Sequence, residues 1–187
     1  LEERFMRQSL DLIEMVAQRY RDRNCVSAIT LVNEPSEHHT VPFLRKFFED
    51  GYERVRRHMS AERVAVIIAA FTEGRMADFH RCLPDAQNVL TDIHPYPCFC
   101  EWKADQLHEY LSWGTAQELP FLEKSGIHDL VVGEWSLGLS PVIRARLDAM
   151  PPWRRDLAMK TYGSNQLLAY DCTGGWFFWN YRIDSPE

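Results

Sequence analysis

Residues 25–35 read CVSAITLVNEP, and this stretch decides how the chain folds. Its first eight residues, 25–32, are mostly β-branched or apolar, which predicts a short strand buried on both faces. Pro35 has no backbone N–H and cannot continue a strand ladder, so the strand is expected to end at Asn33 and Glu34. A carboxylate is therefore predicted at the carboxyl end of a buried strand.

Four more segments have this character, and segments with helical periodicity separate all five. Further strands are predicted at 63–70, 88–93, 129–133 and 176–181. Helices are predicted at 5–20, 41–59, 102–113, 115–124 and 153–170, with a loop containing a helical turn at 140–152. No hairpin signal joins consecutive strands, so the pattern predicts an α/β fold with a parallel sheet.

Polar and aromatic residues lie at or just past the carboxyl ends of several of these strands. They are Asn33, Glu34, His94, Tyr96, Glu134 and Trp179. In a (β/α)8 barrel the carboxyl ends of the strands form the catalytic face, and in a doubly wound sheet they line the ligand crevice. No Gly-rich phosphate loop follows any strand, which weakens the nucleotide-binding alternative.

Two of these residues are glutamates at the ends of different strands, Glu34 and Glu134. A facing pair of carboxyl groups, one neutral and one ionised, is what cleavage of a glycosidic bond requires. Each residue alone also fits a surface or capping glutamate, just as His94 and Tyr96 alone fit satisfied core residues. A serine hydrolase is disfavoured, because no G-x-S-x-G elbow is present around Ser136.

Four motifs in order carry a resemblance to a known family. They are Asn33-Glu34-Pro35, His94-Pro95-Tyr96, Gly133-Glu134-Trp135-Ser136 and GWFFW at 175–179. The chain resembles glycoside hydrolase family 5 over about residues 1–187, and most resembles its exo-β-1,3-glucanase members. The resemblance implies a retaining O-glycosidase that acts on a β-glucan and needs neither a cofactor nor a metal.

The resemblance also implies a role for each matching residue. Glu34 would be the general acid/base and Glu134 the nucleophile. Asn33 would bond the sugar 2-hydroxyl, Tyr96 would hold the Glu134 carboxylate, and His94 would contact Glu34 or the sugar.

Three aromatic residues complete the expected substrate contacts. Trp179 would stack on the sugar beside the cleaved bond. Phe99 and Trp135 are weaker candidates for further sugar subsites.

The five strands correspond to strands four to eight of the family's TIM barrel. Residues 1–187 are therefore expected to form a single partial catalytic domain, the C-terminal part of a (β/α)8 barrel. Strands one to three, with an Arg and a His of the family's site, would come from a missing N-terminal segment or a second chain. Otherwise the half-barrel would stand alone without catalysis.

An open barrel would leave apolar side chains on its inner face in water. The residues expected on that face are Ile29, Leu31, Val64, Val66, Val89 and Val131. Their exposure would cost several kcal/mol. The chain alone is therefore expected to be insoluble, molten or oligomeric.

Composition excludes some partners and leaves other questions open. The net charge of −6 argues against nucleic acid. No apolar run is long enough to span a membrane. Only the resemblance suggests a secreted or extracellular protein. An endo-β-1,4-glucanase, a mannanase and a silent carbohydrate-binding half-barrel remain alternative functions.

Overall fold

The computed structural model describes residues 2–36 and 38–180. The helices are α1 Glu2–Tyr20, α2 Val41–Arg56, α3 Met76–Phe79, α4 Leu107–Trp113, α5 Leu119–Ser125, α6 Pro141–Asp148 and α7 Pro152–Tyr170. The strands are β1 Ala28–Thr30, β2 Ala65–Phe71, β3 Val89–Ile93, β4 Leu130–Trp135 and β5 Trp176–Phe178. The chain divides into two compact units, the first ending at Ile93 and the second beginning at His94.

The first unit contains three parallel strands in the order β1, β2, β3. Strand β2 is buried along nearly its whole length, as expected for a central parallel strand. Helix α2 begins at Thr40, whose side-chain hydroxyl accepts a hydrogen bond from the Phe43 N–H. Helices α1 and α2 pack against each other, and α2 buries Leu44, Phe47, Phe48, Gly51 and Val55.

The second unit contains β4 and β5, which pair in parallel, and helices α4 to α7. One core cluster joins α4, α6 and α7 through Tyr110, Ile143, Leu147 and Tyr162. A π-helical turn at Gly114–Glu118 connects α4 to α5. Gly126 ends α5 in the left-handed conformation, as the sequence predicts.

The alternation of parallel strands with helices confirms the predicted α/β fold. The predicted loop at 140–152 is wrong, because α6 occupies Pro141–Asp148. Ser140 is extended and Pro141 opens the first turn, a favoured start for a helix. Ile143 and Leu147 of α6 are one turn apart, and both are buried.

The helical periodicity of the first segment predicts an apolar face on α1, and this prediction is only partly correct. The face comprises Phe5, Met6, Leu12, Ile13, Val16, Ala17 and Tyr20. Ile13 and Ala17 are buried, but Phe5, Leu12 and Tyr20 are exposed. The predicted face spans more of the helix circumference than the contact with α2 covers.

The predicted inner face of the first three strands is inverted. Leu31, which continues β1 by donating its N–H to the Ile67 carbonyl, packs on Gly51 of α2, where a Cβ would lie 3.0 Å from Leu31 Cδ1. Paired residues of parallel strands share a face, so Ile29 and its partner Val66 lie on this helix-covered side too.

The opposite face of β1 and β2 carries the small or polar residues Ala28, Thr30 and Ala65, together with Ile67. Of the residues expected to lie in water, Leu31, Val64, Val66 and Val131 are buried. The physical ground for the expected insolubility is therefore weaker than the sequence suggests.

A helix that could cross a lipid bilayer is absent from the residues that the structure describes.

Candidate active site

Glu134 lies within β4, one residue before the strand ends, rather than after the strand as predicted. Val132 pairs with Trp176 and Trp135 pairs with Phe178, so three steps along β4 match two along β5. This is a β-bulge at Gly133 and Glu134. Bulges bend a strand and redirect a side chain, and they are frequent beside active sites.

Two residues that follow β3 meet Glu134 in the second unit. The Tyr96 hydroxyl donates a hydrogen bond of 2.9 Å to Glu134 Oε2. His94 Nδ1 lies 3.8 Å from the same oxygen, beyond ordinary hydrogen-bond distance, and its ring is buried. The structure thus brings His94 and Tyr96 close to Glu134. The resemblance implies the contact of Tyr96 with Glu134, but for His94 it implies a contact with Glu34 or the sugar, which stays a prediction.

The pairing of the strands before His94 is also irregular. Ala69 pairs with Asp92 and Phe71 pairs with Ile93, so β2 has one extra residue at its carboxyl end. Phe71 has a φ of 71°, an unfavourable backbone conformation for an aromatic residue. Strained residues and bulges cluster at functional sites, and Ile93, the strand partner of Phe71, directly precedes the His94 motif.

Glu34 and Asn33 follow β1 in the first unit, and both are exposed. Glu34 has a φ of 40°, in the left-handed region, while the next residue, Pro35, is buried. Such a conformation costs about 1–2 kcal/mol and persists only where the surroundings fix it. Both side chains border a largely apolar cavity of about 370 Å³ that Phe5 and Phe43 also line.

Trp135 does not fit its predicted role in a sugar subsite. Its side chain is only 4% exposed. Tyr170, Trp176 and Phe178 surround it edge-on, with ring centroids at 5.6, 5.6 and 5.1 Å. Because other rings enclose it, Trp135 fills the packing layer between β5 and α7.

This packing shows to which side of β5 the side chains of residues 176–179 point. Trp176 and Phe178 face Trp135, so alternation directs Phe177 and Trp179 to the opposite side. The Trp179 N–H donates to the Trp135 carbonyl at 2.8 Å, although β5 ends at Phe178. Trp179 is 54% exposed, and its place beside a sugar stays a prediction. The predicted end of this strand, residue 181, lies outside the described residues.

Phe99 is the most exposed large apolar side chain described, at 84%. Its ring meets Tyr96 edge-on, with centroids 5.7 Å apart. Phe99 thus contacts Tyr96, the residue that hydrogen-bonds to Glu134. Its exposed ring is available for a substrate contact.

No sequence pattern indicated the residues of α7 that support the backbone just after Glu134. Gln166 of α7 is fully buried and donates a hydrogen bond of 3.2 Å to the Ser136 carbonyl. Tyr170 donates to Gln166 Oε1 at 3.2 Å and packs on Trp135. Glutamine residues in helices are mostly exposed, so no sequence signal predicts that Gln166 is buried or makes this contact.

Two tyrosines fix the turn that follows. Tyr110 and Tyr162 donate hydrogen bonds to the Gly138 carbonyl at 2.8 and 3.3 Å. Burial raises the pKa of both phenols. Both therefore stay neutral donors at physiological pH, and their hydrogen bonds to Gly138 fix the loop after β4.

Comparisons with known proteins show that this chain is similar to glucan-degrading enzymes. No family model matches the chain. It is 26% identical over 212 residues to a glucan 1,3-β-glucosidase of Schwanniomyces occidentalis, covering 95% of this chain and 48% of the relative. A glucan 1,3-β-glucosidase of Candida oleophila is 26% identical over 219 residues, covering 96% and 50%. The chain spans about half the length of these curated relatives.

More distant similarities agree with these. A probable glucan endo-1,6-β-glucosidase B of Aspergillus terreus is 22% identical over 188 residues, covering 93% of this chain and 44% of the relative. The crystal structure of a β-glucanase from Saccharophagus degradans matches with a TM-score of 0.58 and 12% identity, covering 96% of this chain and 52% of that one. Cellulose synthase subunit Z from Clostridioides difficile matches with a TM-score of 0.60 and 16% identity, covering 97% and 62%.

These similarities confirm the predicted fold, part of a (β/α)8 barrel, and they bear out the resemblance stated from the sequence, because the chain is similar over most of its length to glucan 1,3-β-glucosidases.

Proposed function

We propose that this chain carries the two catalytic glutamates of a retaining β-glucan hydrolase. The observation that supports this most is the hydrogen bond from Tyr96 to Glu134, with the buried His94 beside it. The names of the relatives, glucan 1,3-β-glucosidases above all, support β-glucan as the substrate class.

Glu134 is the nucleophile in this proposal. Its carboxylate accepts the Tyr96 hydrogen bond through Oε2, and this contact orients the group. The other oxygen attacks the anomeric carbon and forms a covalent glycosyl-enzyme while the glycosidic bond breaks. The β-bulge at Gly133 and Glu134 sets the direction in which this side chain leaves the strand.

Glu34 is the general acid/base. It gives its proton to the departing glycosidic oxygen, then removes a proton from the water that hydrolyses the glycosyl-enzyme. Asn33 precedes it and donates to the sugar 2-hydroxyl, where bonds strengthen in the transition state. The retaining mechanism needs the carboxyl groups of Glu34 and Glu134 to come within about 5–5.5 Å of each other.

Aromatic rings supply the sugar platforms. Trp179 and Phe99 are both exposed, and an aromatic ring can bury the apolar face of a glucose unit while its hydroxyls keep polar partners. Trp179 stacks beside the cleaved bond, and Phe99 contacts the neighbouring unit.

Kinetics on an activated aryl β-glucoside test the two roles separately. Glu134→Gln should abolish turnover, because no covalent intermediate can form. Glu34→Ala should slow breakdown of the glycosyl-enzyme, and azide should restore the rate because it attacks without base assistance. A loss in Glu34→Ala that azide cannot restore would remove Glu34 from the acid/base role.

Endo action is the second candidate, favoured by the relatives named glucan endo-1,6-β-glucosidase. Early products from a reduced β-glucan separate the two modes, since exo action releases glucose and endo action releases longer oligosaccharides. A silent carbohydrate-binding protein would bind the glucan without releasing either.

A further inference from the structure

Three large apolar side chains of α7 are exposed along one side of the helix. Trp153, Leu157 and Leu168 are 67%, 58% and 59% exposed. Their spacings of four and eleven residues equal about one and three helical turns, so the side chains line up over about 22 Å. We call these three residues the α7 stripe. Single apolar residues are normal at a protein surface, but three in line on one helix mark an interaction site.

The α7 stripe faces away from the core of the second unit. The buried residues of α7 lie on the opposite side, centred about 160° around the helix from the stripe at about 100° per residue. They are Ala158, Tyr162, Gln166, Ala169 and Tyr170. A further helix packed beside α7 in the same layer would therefore leave most of the stripe uncovered.

Basic residues accompany the α7 stripe. Helices α6 and α7 together carry five Arg or Lys and two Asp, whereas the whole chain has a net charge of −6. Lys160 is exposed and lies within the span of the stripe, and the exposed Arg154 follows Trp153 directly. One of the two acids is already paired, since Asp148 Oδ1 lies 3.8 Å from Arg155 Nη1. The local charge is therefore positive, which attracts an anionic partner.

A second copy of the chain is a poor occupant of the α7 stripe. Lys160 lies near the middle between Trp153 and Leu168, so two α7 helices that met antiparallel along their stripes would bring two Lys160 ammonium groups together. Like charges that face each other across an interface oppose binding. The positive charge therefore favours a partner of opposite sign over a copy of the same surface.

An anionic lipid surface matches both properties of this side of α7. Trp is favoured at the boundary between head groups and acyl chains, and Leu enters the apolar layer below it. Lys160 can bury its methylene groups while its ammonium stays at the anionic head groups. Lipid is fluid and closes around a single convex helix, whereas a protein partner must offer a groove of matching shape. We propose that the chain binds anionic phospholipid surfaces through the α7 stripe, Arg154 and Lys160.

Flotation with lipid vesicles measures this binding without any substrate. The chain should float with vesicles of phosphatidylcholine that contain about one-third phosphatidylserine and stay behind with pure phosphatidylcholine, because charge and apolar contacts both contribute. Leu157→Ser should weaken binding to the anionic vesicles at least about tenfold, since one large apolar side chain leaves the lipid. Lys160→Gln should weaken it about fivefold, the effect of one cation at an anionic surface.

Matched controls separate the α7 stripe from a general change in polarity or net charge. Leu12 of α1 is 56% exposed, almost as much as Leu157, so Leu12→Ser removes the same side chain elsewhere. Lys124 is an exposed residue of α5, and Lys124→Gln changes the net charge as Lys160→Gln does. Both control variants should bind the anionic vesicles as the wild type does. Exposed substitutions of this kind should leave the thermal midpoint nearly unchanged.

Two kinds of result would overturn the proposal. Absence of flotation with the anionic vesicles, or equal binding by Leu157→Ser and Leu12→Ser, would show that the α7 stripe does not bind lipid. A chain that forms dimers in solution and becomes monomeric in Leu157→Ser would assign the stripe to a second copy instead. Vesicle binding is measured without a glucan, so its outcome is independent of the roles proposed for Glu34 and Glu134.

Discussion

At the scale of single residues, the hydroxyl of Tyr96 decides how Glu134 is held. A hydrogen bond to a charged group contributes about 1.5–3 kcal/mol. We therefore predict that Tyr96→Phe lowers kcat on an aryl β-glucoside by about 10- to 150-fold. Tyr52→Phe is the control, because the Tyr52 hydroxyl bonds only the backbone of Gln87 in the described structure.

The thermal midpoint tells a catalytic loss from a folding defect. Tyr96→Phe and Tyr52→Phe each remove one hydroxyl, so similar midpoints are expected for both variants. A Tyr96→Phe variant with wild-type kcat would show that the hydroxyl does not position the nucleophile.

The second prediction for a single residue concerns the hydrogen bond from Gln166 to the Ser136 carbonyl. Gln166→Met keeps much of the volume but leaves the half-buried Ser136 carbonyl without its donor, which should cost about 1–3 kcal/mol of unfolding free energy. Because Ser136 lies two residues after Glu134, kcat should fall as well. Urea unfolding and turnover of the aryl glucoside measure the two effects.

The neighbouring Asn165 offers a matched control on the same helix. Its side chain bonds Thr115, Leu111 and Thr161 and has no described hydrogen bond to β4. Asn165→Leu should therefore lower stability with a smaller loss of kcat. Equal loss of kcat in the two variants at equal stability would mean that Gln166 supports the fold alone.

At the scale of elements, an ion cluster joins α1 to α2. Glu14 of α1 accepts hydrogen bonds from Arg54 and Arg57 and lies 3.4 Å from His58 Nε2. Burial alone would raise the pKa of Glu14, but the hydrogen bonds from Arg54, Arg57 and His58 outweigh it and hold this pKa below its usual value.

The sign of the pH dependence follows from that lowered pKa. A carboxyl group whose pKa is lower in the folded state stabilises the fold above its unfolded pKa of about 4.3, and this stabilisation is lost as the pH falls through the folded pKa. The unfolding free energy should therefore decrease on acidification from pH 7 to 3, and Glu14→Gln should flatten this decrease. Glu49→Gln, an exposed residue of α2, is the control in urea titrations at each pH. If the unfolding free energy of Glu14→Gln and of the wild type decreased equally with pH, Glu14 and its cationic partners would not stabilise the fold.

The strands show what sequence periodicity determines and what it leaves open. Their positions could be predicted because runs such as 63–70 are apolar and β-branched. Their orientation could not, since a strand buried on both faces has no polar residues to mark one side. Leu31 and Val66 were thus assigned to the wrong face, and only the contact between Leu31 and Gly51 reveals it.

At the scale of the whole molecule, the order of the motifs was enough to predict the fold and the similarity to glucan 1,3-β-glucosidases. Each motif is local, and its place after a strand follows from periodicity. The bulge at Glu134 and the enclosure of Trp135 depend on residues far apart in sequence. These features could not be predicted from one sequence, because nothing local distinguishes a buried Trp135 from an exposed Trp179.

The stereochemistry of hydrolysis tests the proposed mechanism as a whole. Two carboxyl groups about 5–5.5 Å apart allow a covalent intermediate, and two inversions at the anomeric carbon return the β-configuration. Groups about 6.5–9.5 Å apart leave room for a water and give the α-anomer in one inversion. We predict that the first sugar released from a β-glucan is the β-anomer, and proton NMR of the anomeric signals, recorded before mutarotation, measures this directly. Glu134→Gln, analysed in parallel, should release neither anomer. An α-anomer as first product would exclude Glu134 as a nucleophile while leaving the fold assignment unaffected.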